Sequence, residues 1–66
     1  MKNTIKVERA KKNLTQADLA EILGVSRQTI HAIETGKFVP STVLSLKMAR
    51  HFEIPVESLF FLDDND

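Results

Sequence analysis

The chain has 66 residues, nine Lys and Arg against nine Asp and Glu, and no Cys; at this size one domain spanning residues 1–66 is expected, near the lower limit for folding alone, since it buries only about 60% of its unfolded surface. Absence of Cys removes disulfide frameworks, thiolate zinc sites and thiol nucleophiles, and makes a cytoplasmic location the expectation. The opening Met1-Lys2-Asn3-Thr4-Ile5-Lys6 lacks the apolar run of a signal peptide, and no segment approaches the roughly 20 apolar residues of a membrane span.

Two glycines and two prolines punctuate a series of helical patterns. Ile5, Arg9 and Lys12 frame a first amphipathic helix over 5–12, and Asn13 can close it in the left-handed conformation. Thr15 reads as the N-cap of a second helix, with Asp18 as its capping-box partner. Leu19, Ala20 and Leu23 give that helix one apolar face, and Gly24 ends it. Ser26 is another N-cap. The third helix runs from Arg27 to about Glu34 with Ile30 and Ile33 inward, and Gly36 is its stop signal. Pro40-Ser41 opens a fourth helix, where Leu44, Met48, Ala49 and Phe52 fall at i, i+4, i+5 and i+8. Ile54-Pro55 breaks it, and Pro55 can start a short fifth helix over 55–59. Phe60-Phe61-Leu62 is too short to assign by period: it can end that helix or pair as a strand with residues 2–5. The pattern predicts an all-α fold of five short helices around one core.

Charge is unevenly placed. Residues 1–52 hold all nine basic side chains and four acids, a balance of +5, whereas residues 53–66 hold five acids and no base. Zero net charge alone argues against a nucleic-acid partner. The distribution instead allows either a solvated helical face with an acidic tail, or a basic body that meets phosphate with the acidic end held away.

The segment from Gln16 to Thr35 decides between them. Two helices of about eight residues joined by three or four residues must cross steeply. Such a crossing needs a small residue where the axes approach (Ala20) and a glycine where the turn enters positive φ (Gly24). Apolar groups must then plug the wedge, as Leu19, Leu23, Val25, Ile30 and Ile33 do. These offsets together specify a helix-turn-helix over 16–35.

The phrases Leu14-Thr15-Gln16, Leu19-Ala20, Gly24-Val25-Ser26-Arg27-Gln28-Thr29-Ile30, Ile33-Glu34 and Gly36-Lys37 resemble the Cro/cI-type (XRE) family of bacterial and phage regulators, and Pro40-Ser41 continues the match. The resemblance covers roughly residues 4–62. It implies a five-helix lambda-repressor-like domain that binds operator DNA as a dimer, with the 27–34 helix as recognition helix in the major groove. Compact members of the family also pair their two ends in a small two-stranded sheet beside the dimer interface.

The residues support specific roles. Arg27, Gln28, His31 and Ala32 lie on the outward side or N-terminal end of the third helix. The Arg27 fork matches guanine O6/N7 and the Gln28 amide matches adenine N6/N7. A cation at a helix N-terminus opposes the macrodipole, and that placement makes sense when a base edge or anion awaits it. Ala32 stands where many family members carry a polar base-reading side chain, and can meet a thymine methyl. Asn13 and Thr35 also depart from the commoner Gly and Asn. Gln16, first in its helix, can turn its amide and backbone N–H to a phosphate. Ser26 is a cap first and a phosphate ligand second. Thr29 can serve either as a near-cap hydroxyl or as a contact to phosphate or a base edge. His31 can touch phosphate when protonated or remain neutral and unengaged. Lys37 can reach the sugar-phosphate chain, with Phe38 and its own N–H flanking it.

One recognition helix reads about 4–5 base pairs, too few for a genomic site, so two copies on a palindrome are expected. Val43, Leu46, Phe61 and Leu62 are the candidate homodimer contacts, with Phe60 turned inward. The expected function is a transcriptional regulator, a repressor, acting on double-stranded DNA. The alternative is an antitoxin-like or partner-dependent protein-binding module on the same fold. His31 and His51 lie on different helices without metal spacing, so no enzyme activity, metal, cofactor or small-molecule ligand is expected.

Overall fold

The computed structural model describes residues 1–66. In chain order the elements are β1 (Lys2–Asn3), α1 (Ile5–Lys11), α2 (Gln16–Leu23), α3 (Arg27–Glu34), α4 (Thr42–Phe52), α5 (Val56–Leu59) and β2 (Phe60–Phe61). The five helices are the all-α architecture read from the pattern of caps and apolar repeats, and the two ends add the minimal sheet that the family resemblance implies.

Each helix starts and stops for an identifiable chemical reason. The Thr15 hydroxyl accepts from the Asp18 N–H, and the Asp18 carboxylate accepts from the Thr15 N–H, both at 3.0 Å. This reciprocal box satisfies two donors at the start of α2 and holds the Asp18 carboxyl below its usual range, through the Thr15 backbone N–H first and the hydroxyl second. The Ser26 and Ser41 hydroxyls accept from Thr29 and Leu44 N–H, each at 3.1 Å, and cap α3 and α4. Gly24 sits at φ 72° and ends α2 in the left-handed conformation; Asn13, at φ 56°, does the same service after α1.

Two boundaries differ from the sequence reading, and one helix end has an unannounced backbone conformation. α1 stops at Lys11 and Lys12 becomes its C-cap. Pro55 is the N-cap of α5, not its first residue: at φ −61°, ψ 147° it is extended, and the helix starts at Val56. α4 ends at Phe52, ahead of Ile54-Pro55 as expected, but its C-cap Glu53 sits at φ 58°, a left-handed position without the glycine or asparagine that normally announces one.

The core draws on every helix and β2: Ile5 from α1; Leu19 and Ala20 from α2; Ile30 and Ile33 from α3; Met48, Ala49 and Phe52 from α4; Leu59 from α5; and Phe60 from β2. Burying each large aliphatic member contributes about 1.5–3 kcal/mol. Ala20 is buried in the α2–α3 unit, as a close crossing requires, while Leu23, Val25 and Leu44 pack on the margin of the core, only partly buried.

The Phe60 ambiguity resolves as strand. β1 and β2 are antiparallel, with Lys2 opposite Phe61 and Asn3 opposite Phe60. Alternation along β2 puts Phe60 in the core and Phe61 toward solvent, and Leu62 beyond it is 80% exposed. The Met1 ammonium lies 3.2 Å from carboxylate oxygens of both Asp63 and Asp66, so part of the acidic run is folded back onto the start of the chain.

Candidate nucleic-acid interface

α3 separates its two faces cleanly. Ile30 and Ile33 enter the core, leaving Arg27, Gln28 and His31 exposed on one side and Thr29 and Ala32 half-buried beside them. Arg27 makes no ion pair in the chain. It opens α3 directly after the Ser26 N-cap, whose hydroxyl accepts from Thr29 N–H and lies 2.9 Å from Thr29 Oγ1. The two hydroxyls thus pair at the start of the helix, which leaves one O–H free to donate outward.

Ala32 is less outward than the helical wheel implies. The chain folds back over it after α3, and its carbonyl accepts from Lys37 N–H at 2.9 Å, Phe38 N–H at 3.2 Å and Thr35 Oγ1 at 3.2 Å. The Lys37 backbone N–H, expected to flank a phosphate, is therefore consumed inside the turn. What Lys37 and Phe38 present outward is side chain, and both are exposed.

The N-terminus of α2 abuts the last turns of α3. Gln16 Nε2 donates to Glu34 Oε1 at 3.4 Å and lies 3.4 Å from His31 Nδ1. The first bond of α2 runs from Leu19 N–H to the Thr15 carbonyl, so the Gln16 and Ala17 N–H groups at its start have no intrahelical acceptor. Gln16 and His31, read separately from the sequence, come together here. They border a polar cleft of about 370 Å³, also lined by Asn3, Lys6, Arg9, Glu34 and Thr35.

At the bottom of that cleft is an ion pair the sequence reading missed. Arg9 Nε donates to Glu34 Oε2 at 2.7 Å and Nη2 to Oε1 at 3.0 Å, while Nη1 donates to the Leu14 carbonyl at 2.9 Å. The two side chains are only 13% and 7% exposed. Hydrogen bonding to Glu34 raises the Arg9 pKa further above its usual value. One bidentate pair thus ties α1, the turn before α2 and the last turn of α3 together. Nothing in the one-dimensional pattern distinguishes Arg9 from the neighbouring solvated Lys11 and Lys12. Lys6, on the wall of the cleft, was likewise not singled out.

Val43, Leu46, Phe61 and Leu62 are all exposed. So are Val7, Ile22 and Val39, which the sequence reading did not assign to any surface.

A helix pair with a capped, outward-facing second helix, a polar cleft at the start of the first, and basic side chains around both defines a DNA-binding helix-turn-helix protein. Comparison with known proteins gives the same class. The helix-turn-helix family model matches residues 5–59. An HTH-type transcriptional regulator of Methanocaldococcus jannaschii is 53% identical over 66 residues, covering all of both chains. The HTH-type transcriptional regulator YgzD of Bacillus subtilis is 42% identical, again over the whole of both. A further HTH-type transcriptional regulator, from Archaeoglobus fulgidus, is 44% identical over all of this chain and 93% of its own length. The chain belongs to the helix-turn-helix family of the Cro/cI (XRE) type, DNA-binding regulators of transcription. None of its helices is long and apolar enough to cross a membrane.

Proposed function

We propose that the whole chain, residues 1–66, is a single cytoplasmic DNA-binding unit that represses transcription by occupying a palindromic operator as a homodimer. The observation that carries this reading is the outward face of α3: Arg27 and Gln28 stand exposed at its first turn, and Arg27 is without an ionic partner in the chain. Those two side chain types match guanine and adenine edges in the major groove. Ala32 is the apolar contact beside them.

Around this reading head the remaining groups hold the sugar-phosphate chains. The free N–H groups at the start of α2 and the Gln16 amide face one phosphate, with the His31 ring beside them. Ser26 and Thr29 keep α3 capped and offer hydroxyls at its rim. Lys37 and Phe38 reach a second phosphate through their side chains. Repression needs nothing beyond occupancy of a site that polymerase must use. The apolar groups left over, Val43 and Leu46 on α4 with Phe61 and Leu62 at the end of the sheet, form the seam between two copies.

Base contacts and phosphate contacts fail differently when removed. Selection of bound sites from random duplexes identifies the operator, and titrations on it and on a scrambled duplex at two salt concentrations then separate the roles. Arg27→Ala is expected to lose about 1–3 kcal/mol of discrimination between the two duplexes. Lys37→Ala is expected to weaken both equally and to lower the salt slope by about one. Equal losses on both duplexes for Arg27→Ala would remove it from base reading.

A further inference from the structure

The carbonyls of the last turn of α3 have no intrahelical acceptor role and must find donors elsewhere. His31 O takes Thr35 N–H and hydroxyl, Ala32 O takes Lys37 and Phe38 N–H, and Ile33 O takes Gly36 N–H. Glu34 O is left to one side chain. Asn3 Nδ2 donates to Ile33 O at 3.0 Å and reaches Glu34 O at 3.5 Å. The same amide works in two further directions. Its Oδ1 accepts from Ile5 N–H at 3.2 Å and so starts α1, where Thr4 supplies no side-chain cap. Its backbone belongs to β1, opposite Phe60.

Asn3 is therefore the residue where the end of α3, the start of α1 and the terminal sheet meet. β2, the other strand of that sheet, contains Phe61 and continues directly into Leu62. We infer that Asn3 is a positioning residue for operator recognition: it fixes the placement of α3 relative to the terminal sheet, and through the sheet sets the distance between the two α3 helices of a dimer. The inference rests on the proposed reading of α3 as recognition helix and of Phe61 and Leu62 as seam. Arg9 holds α3 by the Glu34 side chain and ties it to α1. Asn3 holds it by the main chain and ties it to the sheet.

A two-copy reader demands a fixed half-site spacing, because a one-base-pair insertion both separates and rotates the half-sites. If Asn3 sets that distance, removing its donor relaxes spacing without changing which bases each half-site prefers. Two substitutions isolate the donor. Asn3→Asp keeps an oxygen for Ile5 N–H, a favoured cap, but has no N–H for the α3 carbonyls. Asn3→Ala lacks both.

The experiment titrates full-length wild type and both variants against duplexes carrying the selected half-sites at the selected spacing and at one base pair more or less. Wild type is expected to lose about tenfold or more on the altered spacings, comparable to a mismatched base pair. Both variants are expected to fall to within about threefold across the three spacings, keep the half-site sequence preference, and keep the wild-type mass by sedimentation. If Asn3→Asp, with its α1 cap intact, retains wild-type spacing discrimination, the inference is overturned, even where melting temperature has dropped. If wild type itself shows no preference for paired half-sites, the homodimer reading fails, and the inference falls with it.

Discussion

The α2–α3 unit and the much smaller terminal sheet are held by different chemistry. The helix pair is fastened by apolar side chains sealed from water: Leu19 and Ile30 are fully buried and Ile33 and Ala20 nearly so. At the terminal sheet two-residue strands meet, assisted by side-chain amide bonds and by the Met1 ammonium between Asp63 and Asp66. Apolar burial is non-directional and carries no titrating charge, whereas the terminal contacts depend on charge and on hydrogen-bond geometry. The surface proposed to read DNA is thus built on the region less responsive to conditions, and one part of the proposed seam, Phe61 and Leu62, adjoins the region more responsive to them.

The sharpest way to break this contrast is to weaken the apolar side. Leu19→Ala removes a fully buried side chain from the crossing of α2 and α3, and is expected to cost about 2–5 kcal/mol in urea denaturation. In a domain this small that is a large share of total stability, so specific DNA binding should disappear with it. A cost under about 1 kcal/mol would mean that the helix pair is not fastened as described.

Phe61→Asp tests the other region. Phe61 is 41% exposed within the chain, so fold stability should change by about 1 kcal/mol or less. The proposed homodimer should nevertheless fall to monomer by sedimentation; an unchanged mass would place the seam elsewhere.

The smallest effect is the dependence on pH. The Asn65 N–H first, and then the Met1 ammonium, hold the Asp63 carboxyl below its ordinary value of 3.8; Asp66 and Asp63 raise the Met1 amine above its ordinary 8.0. A depressed carboxyl stabilises the fold above its unfolded value, and that contribution is lost as pH falls through the folded one. A raised amine stabilises below its unfolded value, and is lost as pH rises through the folded one. The terminal contacts are therefore firmest between about pH 4 and pH 8. Carbon-detected NMR should show residues 2–3 and 60–61 shifting outside that window while Ile30 does not. Equal shifts at both would erase the distinction.

The same division governs what can be read from the sequence. Caps and crossings are local or periodic, so Thr15–Asp18, Ser26, Ala20 and Gly24 announce the helix pair directly. The residues that join distant parts of the chain carry no such signature. Arg9 looks like any basic residue on an amphipathic helix until Glu34 is found opposite it. Asn3 looks like a polar residue in a short leading segment until the end of α3 arrives beside it. The left-handed Glu53 is concealed for another reason: its side chain type does not advertise its backbone. Of the candidate interface, the exposure of Arg27, Gln28 and His31 followed from helical phase. The loss of the Lys37 N–H to the Ala32 carbonyl did not, because it depends on how tightly the chain turns after Gly36.

The pairing of Lys2 with Phe61 also imposes an order in time. Every helix can begin from contacts within a few residues, but this pair closes nearly the whole chain into one loop, and loop closure costs entropy that only the finished core offsets. The sheet is then the last element to form and the first to open in native-state fluctuations. In the proposed homodimer, two chains would meet along Phe61 and Leu62 only after each had completed its own fold, so assembly would be a step that follows folding.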